Sequence, residues 1–487
     1  MEPANEGMSD VTLRCELSLN TRFLETTMSD TDFSHLQLRP ALLQNLSALA
    51  FTSMTPVQQL SLPAVLAGRD VMAQGKTGSG KTAAFALGIL QRIEPTLFKP
   101  QALILCPTRE LADQVAEEIR RLARLLPNIK VLSLCGGRPV AVQADSLSHG
   151  AHIIVGTPGR IEDHLQRGSL ILSEIDFLVL DEADRMLDMG FLPSVENVLA
   201  DLHRQRSMSA KSGTRAQMLL FSATFSAEIR TLSEVILQNP VYVELQDIEV
   251  APDIEELRYL TGNDESRLDA LKRILLHFKP ENALVFCTTR NDVDEVCQRL
   301  QRVGFSAMAL HGEMDQRERD QAIILFSNGS ARVLVATDVA ARGLDITGLD
   351  LVINYHEARD EETHTHRIGR TGRAGAKGRA CNLVSSSERG AAHPSAELPP
   401  VSVLKLSPPP ASFSTLIIDG GKRDKIRPTD VLGALTGTGE LDRSDVGNIR
   451  ITHQAAYVAI SRNKANLAKQ ILSKGKIKGK TARVRQL

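Results

Sequence analysis

FLVLDEADRMLDMGF, Phe177 to Phe191, and VMAQGKTGSGKTAAF, Val71 to Phe85, decide how this chain is read. In the first, a short apolar run ends on two adjacent carboxylates, Asp181 and Glu182, as a strand does when it delivers acidic side chains to one edge of a sheet. In the second, a strand runs into a glycine-rich turn, Lys81-Thr82 and a helical pattern. Glycines there let backbone N–H groups approach phosphate oxygens, the lysine reaches the β/γ-phosphates and the threonine hydroxyl can ligate a cation. Together the two segments predict nucleotide triphosphate binding, with Asp181 and Glu182 dividing cation holding and water activation between them.

Working outward, short β-branched or leucine-rich runs alternate with helical patterns: ALILC (102–106), VLSLC (131–135), HIIVG (152–156) and MLLFSAT (218–224) flank the acidic strand. That alternation predicts a parallel sheet covered by helices on both faces. The polar stretch ELQDIEVAPDIEEL (244–257) reads as an interdomain linker, after which the alternation resumes with ALVFC, AMALH, RVLVATD, LVINY and ACNLVS. Past Ser385, six prolines between Pro394 and Pro410 predict a second, stiffer linker. The last segment reads strand, helix, strand, strand, helix, strand, the order of an RNA-recognition-type α+β fold. The expected organisation is a disordered lead over 1–30, a first α/β domain over 31–243, a second over 250–390, a proline-rich linker over 391–411 and a small C-terminal domain over 412–487. Met28 is a second plausible start.

The 487 residues carry a net charge of −1, yet residues 411–487 hold 15 Lys+Arg against 6 Asp+Glu, a net of +9, which leaves about −10 on the first 410. A basic module tethered to an acidic body predicts a polyanionic partner. The six cysteines form no CxxC pair, which argues against a zinc site or disulfide framework and for a reducing, cytoplasmic compartment. No apolar stretch approaches membrane-spanning length, and no membrane partner is expected.

Further short segments fall where strands should end: PTREL (107–111), GG (136–137), TPGR (157–160), SAT (222–224), ATDVAARGLD (336–345) and HRIGRTGR (366–373). Singly they are noise. As an ordered series from about Phe33 to Ser385, with DEAD itself at Asp181 to Asp184, they resemble the DEAD-box family of ATP-dependent RNA helicases. The resemblance implies two RecA-like domains that close on ATP and single-stranded RNA, with Mg2+ as the cation. Carried over by motif, Phe51 and Gln58 look like the adenine site, and Gly75, Lys76, Thr77, Gly78, Ser79, Gly80, Lys81 and Thr82 the phosphate loop. Thr82 and Asp181 would hold Mg2+, Glu182 would act as general base, and Ser222 and Thr224 would couple hydrolysis to RNA. Gly343 and Asp345 match ribose and γ-phosphate contacts, and Arg370 and Arg373 the arginine fingers, a role worth about 10³–10⁵ in rate wherever it occurs. RNA contacts fall, by the same resemblance, on Pro107, Thr108, Arg109, Gly137, Thr157, Arg160, Arg319 and Thr337.

IDGGKRDKIRPTDVLGALTG and GKIKGKTARVRQL in the tail resemble the ribosomal-RNA-binding domain of the bacterial DbpA subfamily, which is stimulated by 23S rRNA. Lys422, Arg423, Lys425, Arg427, Lys476, Lys478 and Lys480 are the candidate contacts. Tyr457 could stack a base or pack in the core; the sequence leaves both open. The resemblance implies remodelling of short rRNA duplexes by a monomer tethered to a 23S rRNA hairpin in large-subunit assembly intermediates. A DNA translocase of the same superfamily and a non-enzymatic RNA scaffold are the competing readings. The DEAD tetrad and the tail count against the first, and intact Lys81, Glu182, Arg370 and Arg373 against the second. Two departures from the family pattern stand out: Ala50 occupies a usual glycine position, and the residues after Val384 are proline-broken where a closing helix is usual.

Overall fold

A computed structural model describes residues 15–17, 31–75, 78–209, 211, 213–244, 254–262, 264–341, 348–372, 377–385, 395–437, 439–479 and 481–487. Lys76, Thr77, Gly343, Asp345, Arg373 and Lys480 lie outside the described residues. The chain divides into two compact units.

Among the described residues the first unit is built on eight strands: β1 (Cys15–Leu17), β2 (Val71–Gln74), β3 (Ala102–Leu105), β4 (Val131–Leu134), β5 (Ile153–Gly156), β6 (Phe177–Asp181), β7 (Gln217–Ser222) and β8 (Val241–Val243). Strand β1 falls within the lead expected to be disordered over 1–30, where its three residues pair with β8. Their order is β1-β8-β2-β7-β6-β3-β5-β4, all parallel except the β1–β8 pair. Period-two alternation sends Ala73, Ile104, Val179 and Phe221 into one core and Met72, Leu103, Leu180 and Leu220 into another, so helices must cover both faces. The helix Arg109–Leu122 shows how sequence sets such a cover. Thr108 caps its start by accepting from the Leu111 N–H at 3.3 Å, and Leu111, Ala112, Val115, Ala116, Ile119 and Leu122 form its buried stripe. At its far end the buried Asn45 amide donates to the carbonyls of Arg121 and Leu122, in the last turn where carbonyls lack i+4 partners within the helix.

The second unit carries β9 (Ile254–Thr261), β10 (Ala283–Cys287), β11 (Ala307–Leu310), β12 (Val333–Thr337), β13 (Leu351–Asn354) and β14 (Gly378–Ser385) in a parallel sheet ordered β11-β12-β10-β13-β14-β9. Here the linker expected over 244–257 needs correction: Ile254 to Leu257 already belong to β9, paired in parallel with β14. The strand hides from sequence because it lies at the sheet edge and is dressed in charge. Glu255 pairs with Arg379, and Glu256 with Arg258 and His364.

Among the described residues after β14, 395–405 lie along the second sheet's helical cover. Ser395 and Ala396 donate to the Arg258 carbonyl, Arg273 donates to the carbonyls of Leu398 and Pro399, and Ala396, Leu398, Val403 and Leu404 pack on the core beside Tyr259 and Leu271. The prolines thus shape a fitted strap with a single 3-10 turn at Val401–Lys405.

The tail forms β15 (Phe413–Asp419), β16 (Val446–Ile451), β17 (Ala455–Ser461) and β18 (Val484–Gln486), an antiparallel sheet ordered β16-β17-β15-β18 with the helices Pro428–Thr436 and Ala465–Lys474 on one face. Two tandem RecA-like domains and a small α+β domain are therefore the architecture. The opposite face of the small sheet is not free. Ile417 and Tyr457 are buried with Ile324 of the helix Gln316–Ser327, and Thr415 bonds Asn328 and Ser330 at 2.8 Å each. Tyr457 is 3 % exposed and hydrogen-bonded to Arg317, so the packing role is the one it fills; burial pushes its hydroxyl pKa upward.

Candidate functional site

The carboxyl edge of the first sheet divides into two halves. Strands β2, β7 and β6 end at the expected nucleotide residues, while β3, β5 and β4 end at the expected RNA residues, the edge at which ligands meet such sheets.

In the nucleotide half, Gly78 and Gly80 take φ of 84° and 90°, values that favour glycine. A Cβ on Gly80 would collide with the Gln58 amide. The Gly75 N–H donates to the Ser222 carbonyl at 2.9 Å, tying the loop to the end of β7. Gln58 is buried and bridges two elements: its amide N–H donates to the Gly80 carbonyl at 3.0 Å and its oxygen accepts from the Thr55 N–H at 2.9 Å. Phe51 is half-buried, edge-on to Phe33 at 6.3 Å with the Arg121 guanidinium over its ring. Ala50 carries φ of 59° just past the helix Pro40–Ala48, which is why a glycine suits this position.

Lys81 is 6 % exposed and its Nζ has no hydrogen-bond partner among the described residues; the same holds for Oδ1 of Asp181, 2 % exposed. Burial raises the Asp181 carboxyl to about 7, with the Lys81 charge opposing and Glu182 adding to the rise. A buried cation and a buried carboxylate oxygen, both lacking partners among the described residues, fit a site made for phosphate oxygens and a divalent cation.

Glu182 sits in the left-handed region at φ 55°, ψ 55° and accepts from Arg185 Nη1 at 2.5 Å, both side chains buried. Asp184 Oδ2 accepts from the N–H groups of Ala223 and Thr224 at 2.9 and 3.1 Å and from the Thr224 hydroxyl at 3.4 Å. The Asp184 N–H in turn donates to Ser222 Oγ at 3.4 Å. Ser222 and Thr224 therefore meet the acidic motif directly.

In the RNA half, Pro107, Thr108, Arg109, Gly137, Thr157 and Arg160 follow the ends of β3, β4 and β5. Arg160 is aimed by Gln143, whose oxygen accepts from Arg160 Nη1 at 2.8 Å and pairs with His164 Nε2 at 3.0 Å; a further Arg160 bond reaches the Arg138 carbonyl. Burial, and then the Arg160 charge, hold the His164 pKa below its usual value.

In the second unit, Thr337 ends β12, Arg319 lies in the first turn of the helix Gln316–Ser327, and Arg370 is buried past the helix Glu361–Ile368. The neighbouring Arg367 is anchored: it grips both oxygens of Asp338 at 2.7 and 2.8 Å and donates to Asn354 and the His356 carbonyl. In the tail, the two basic segments meet. Lys478 Nζ donates to the Lys425 carbonyl at 2.5 Å and lies 3.7 Å from Asp430, and Lys425 and Lys478 both take left-handed φ at the apices of their loops. Lys422, Arg423, Arg427 and Lys476 belong to the same two loops.

Comparison with known proteins assigns these parts. The DEAD/DEAH box helicase family matches residues 55–232, the helicase conserved C-terminal domain 266–375 and the DbpA RNA binding domain 415–486. The chain is 50% identical over 466 residues to the ATP-dependent RNA helicase DbpA of Escherichia coli K12, covering 94% of this chain and all of that one. It is 35% identical over 482 residues to DbpA of Bacillus subtilis, covering 93% and 98%. The chain belongs to the DEAD-box RNA helicases. It is an ATP-dependent RNA helicase of the DbpA type, an RNA-dependent ATPase with its own RNA-binding domain. Among solved structures, the helicase is similar to Saccharomyces cerevisiae Dbp5 bound to RNA and ADP BeF3, at 32% identity and TM-score 0.63 over 73% of this chain and 90% of that one. It is also similar to Mss116p bound to ssRNA and AMP-PNP, at 26% identity and TM-score 0.66 over 74% and 76%.

Several residues of the helicase escape a reading by motif. Asp184 carries the bonds to the SAT segment although attention falls on its two acidic predecessors. Arg185 and Arg367 hold the groups beside them and look, in sequence, like any other arginine. Gln143 gives no signal: it is one of several polar residues in a nine-residue helix, and only its burial and its bonds to Arg160 and His164 reveal a fixed role.

Proposed function

We propose that the helicase hydrolyses ATP in response to RNA and remodels short rRNA duplexes while its C-terminal domain holds a 23S rRNA hairpin, acting as a cytoplasmic monomer on large-subunit assembly intermediates. The observation that carries this reading is the meeting of two basic loops at Lys425 and Lys478 on a domain of the DbpA type. Clustered cations bind phosphate through counterion release, and a rigid basic edge can match one RNA shape.

In the motor, Lys81 neutralises phosphate charge, and Asp181 and Thr82 would hold Mg2+, which when bound spreads the charge of the transferring phosphoryl group. Glu182, pinned by Arg185, receives the proton of the attacking water on its carboxylate. Asp184 ties that acidic turn to Ser222 and Thr224. Arg370 and Arg373 stabilise the charge that develops on the phosphoryl oxygens. Pro107, Thr108, Arg109, Gly137, Thr157, Arg160, Arg319 and Thr337 touch RNA backbone and sugar without reading bases. A bound hairpin then raises the concentration of neighbouring RNA at the motor, to the order of mM for a short tether. ATPase measured with 23S rRNA, 16S rRNA, total RNA and DNA tests the reading: 23S rRNA should stimulate most and DNA not at all. Equal stimulation by 16S rRNA would overturn the tether.

A further inference from the structure

At the opposite edge of the first sheet, where β2, β7 and β8 begin, a cavity of about 290 Å³ is lined by Gly68, Arg69, Arg92, Arg215, Gln238 and Asn239. Three arginines converge there in a part of the chain that is acidic as a whole. Each is held by one or two structural bonds. Arg69 donates to the Asn239 carbonyl at 3.3 Å, and Arg92 donates to Gln217 at 2.9 Å with its guanidinium 4.7 Å from the Phe177 ring centroid. Arg215 donates to Asp70 and to the Ile236 carbonyl.

The charge around the cavity does not cancel. Asp70 is the one carboxylate in the lining, it is 5 % exposed, and it is spent: besides Arg215 it accepts from the N–H groups of Met218 at 2.9 Å and Gln238 at 2.7 Å. Among the described residues Arg69 and Arg92 have no carboxylate partner, so two guanidiniums keep most of their five donors for whatever enters. The turn before Arg69 packs against Arg92, since a Cβ on Gly68, at φ 78°, would lie 3.6 Å from Arg92 Nη1. Guanidiniums lining one cavity can bind the paired oxygens of a phosphate bidentately, as they can a carboxylate, and a phosphate's higher charge draws more from three arginines set against one spent carboxylate.

We infer that this cavity is a second phosphate-binding site, separate from the ATP loop, for a free phosphate compound or a backbone phosphate of RNA. Arg92 is the last residue of the helix that begins at Lys81, a rigid rod of roughly 18 Å at 1.5 Å per residue, so the pocket and the ATP loop share one element.

The probe is inorganic pyrophosphate, titrated calorimetrically into the full-length helicase already saturated with ADP. Wild type should bind it at the foot of the sheet, and Arg69→Gln, a change at an exposed side chain, should weaken binding at least about tenfold, with Arg92→Lys giving a smaller loss. No binding by wild type, or equal affinity in Arg69→Gln, overturns the site. The salt dependence of single-stranded RNA binding separates the sources. A slope of log K on log salt that falls by about 0.7 in Arg69→Gln assigns the pocket to RNA backbone, and an unchanged slope with lost pyrophosphate binding assigns it to a free phosphate compound.

Discussion

Arg185 Nη1 lies 2.5 Å from Glu182 Oε2, and neither side chain is more than 7 % exposed. The carboxylate proposed as general base is therefore oriented by a residue one helical turn away, on a backbone held at φ 55°. Left-handed backbone at a residue with a Cβ costs on the order of 1 kcal/mol and persists where the surroundings enforce it.

Removing Arg185 should thus cost twice. Arg185→Ala removes a close ion pair from a buried carboxylate, which should destabilise the first domain by roughly 1–3 kcal/mol and lower kcat about tenfold with little change in KM for ATP. Denaturant unfolding and steady-state ATPase check it. Arg185→Lys should recover part of both losses; wild-type turnover in Arg185→Ala would show that Glu182 needs no such support.

Asp184 predicts a separation of activities. Since its Oδ2 collects three donors from Ala223 and Thr224, replacing Ser222 and Thr224 together by alanine removes hydroxyls at the junction while leaving Lys81, Asp181 and Glu182 intact. Duplex unwinding should fall by an order of magnitude or more and RNA-stimulated ATPase by a factor of about three. Parallel loss of the two rates would argue that the hydroxyls serve hydrolysis alone.

Ala50 is a case where the sequence is not optimal for its own fold. Ala50→Gly relieves a Cβ at φ 59° on an exposed helix end and should stabilise the first domain by roughly 0.5–1 kcal/mol, read as a rise in its thermal midpoint. A lower midpoint would mean that the position is not strained.

What could be read without coordinates was what repeats or clusters along the chain. The inner strands of both parallel sheets announce themselves because they are buried on two faces, and the phosphate loop and acidic turn are contiguous. Three features were not legible, each for a physical reason. β9 is an edge strand whose Glu255 and Glu256 are paired laterally, so it mimics a linker. Val241–Val243 is too short to stand out from a helix end. Which face of the tail sheet is free depends on Ile324, some 130 residues from Tyr457, and no local pattern records that contact.

That contact makes its own prediction. Because Tyr457 is packed against Ile324 and bonded to Arg317, Tyr457→Phe should leave affinity for a 23S rRNA fragment within twofold, whereas a base-stacking tyrosine replaced by alanine would cost about 1–3 kcal/mol. Filter binding with Tyr457→Phe and Tyr457→Ala distinguishes the two. An affinity loss of tenfold or more in Tyr457→Ala with the fold intact would return the residue to the RNA interface.

The central claim is that the tail chooses the RNA and the RecA-like domains act on whatever is nearby. Its most direct test is the ratio of ATPase stimulation by 23S over 16S rRNA in the full-length chain carrying Lys422→Ala, Arg423→Ala and Lys425→Ala. None of these side chains is buried, so the fold should survive. The account predicts a ratio that drops to about one while stimulation by saturating total RNA persists. A ratio unchanged from wild type would contradict it, because recognition would then not reside in the basic loops that Lys478 and Lys425 join.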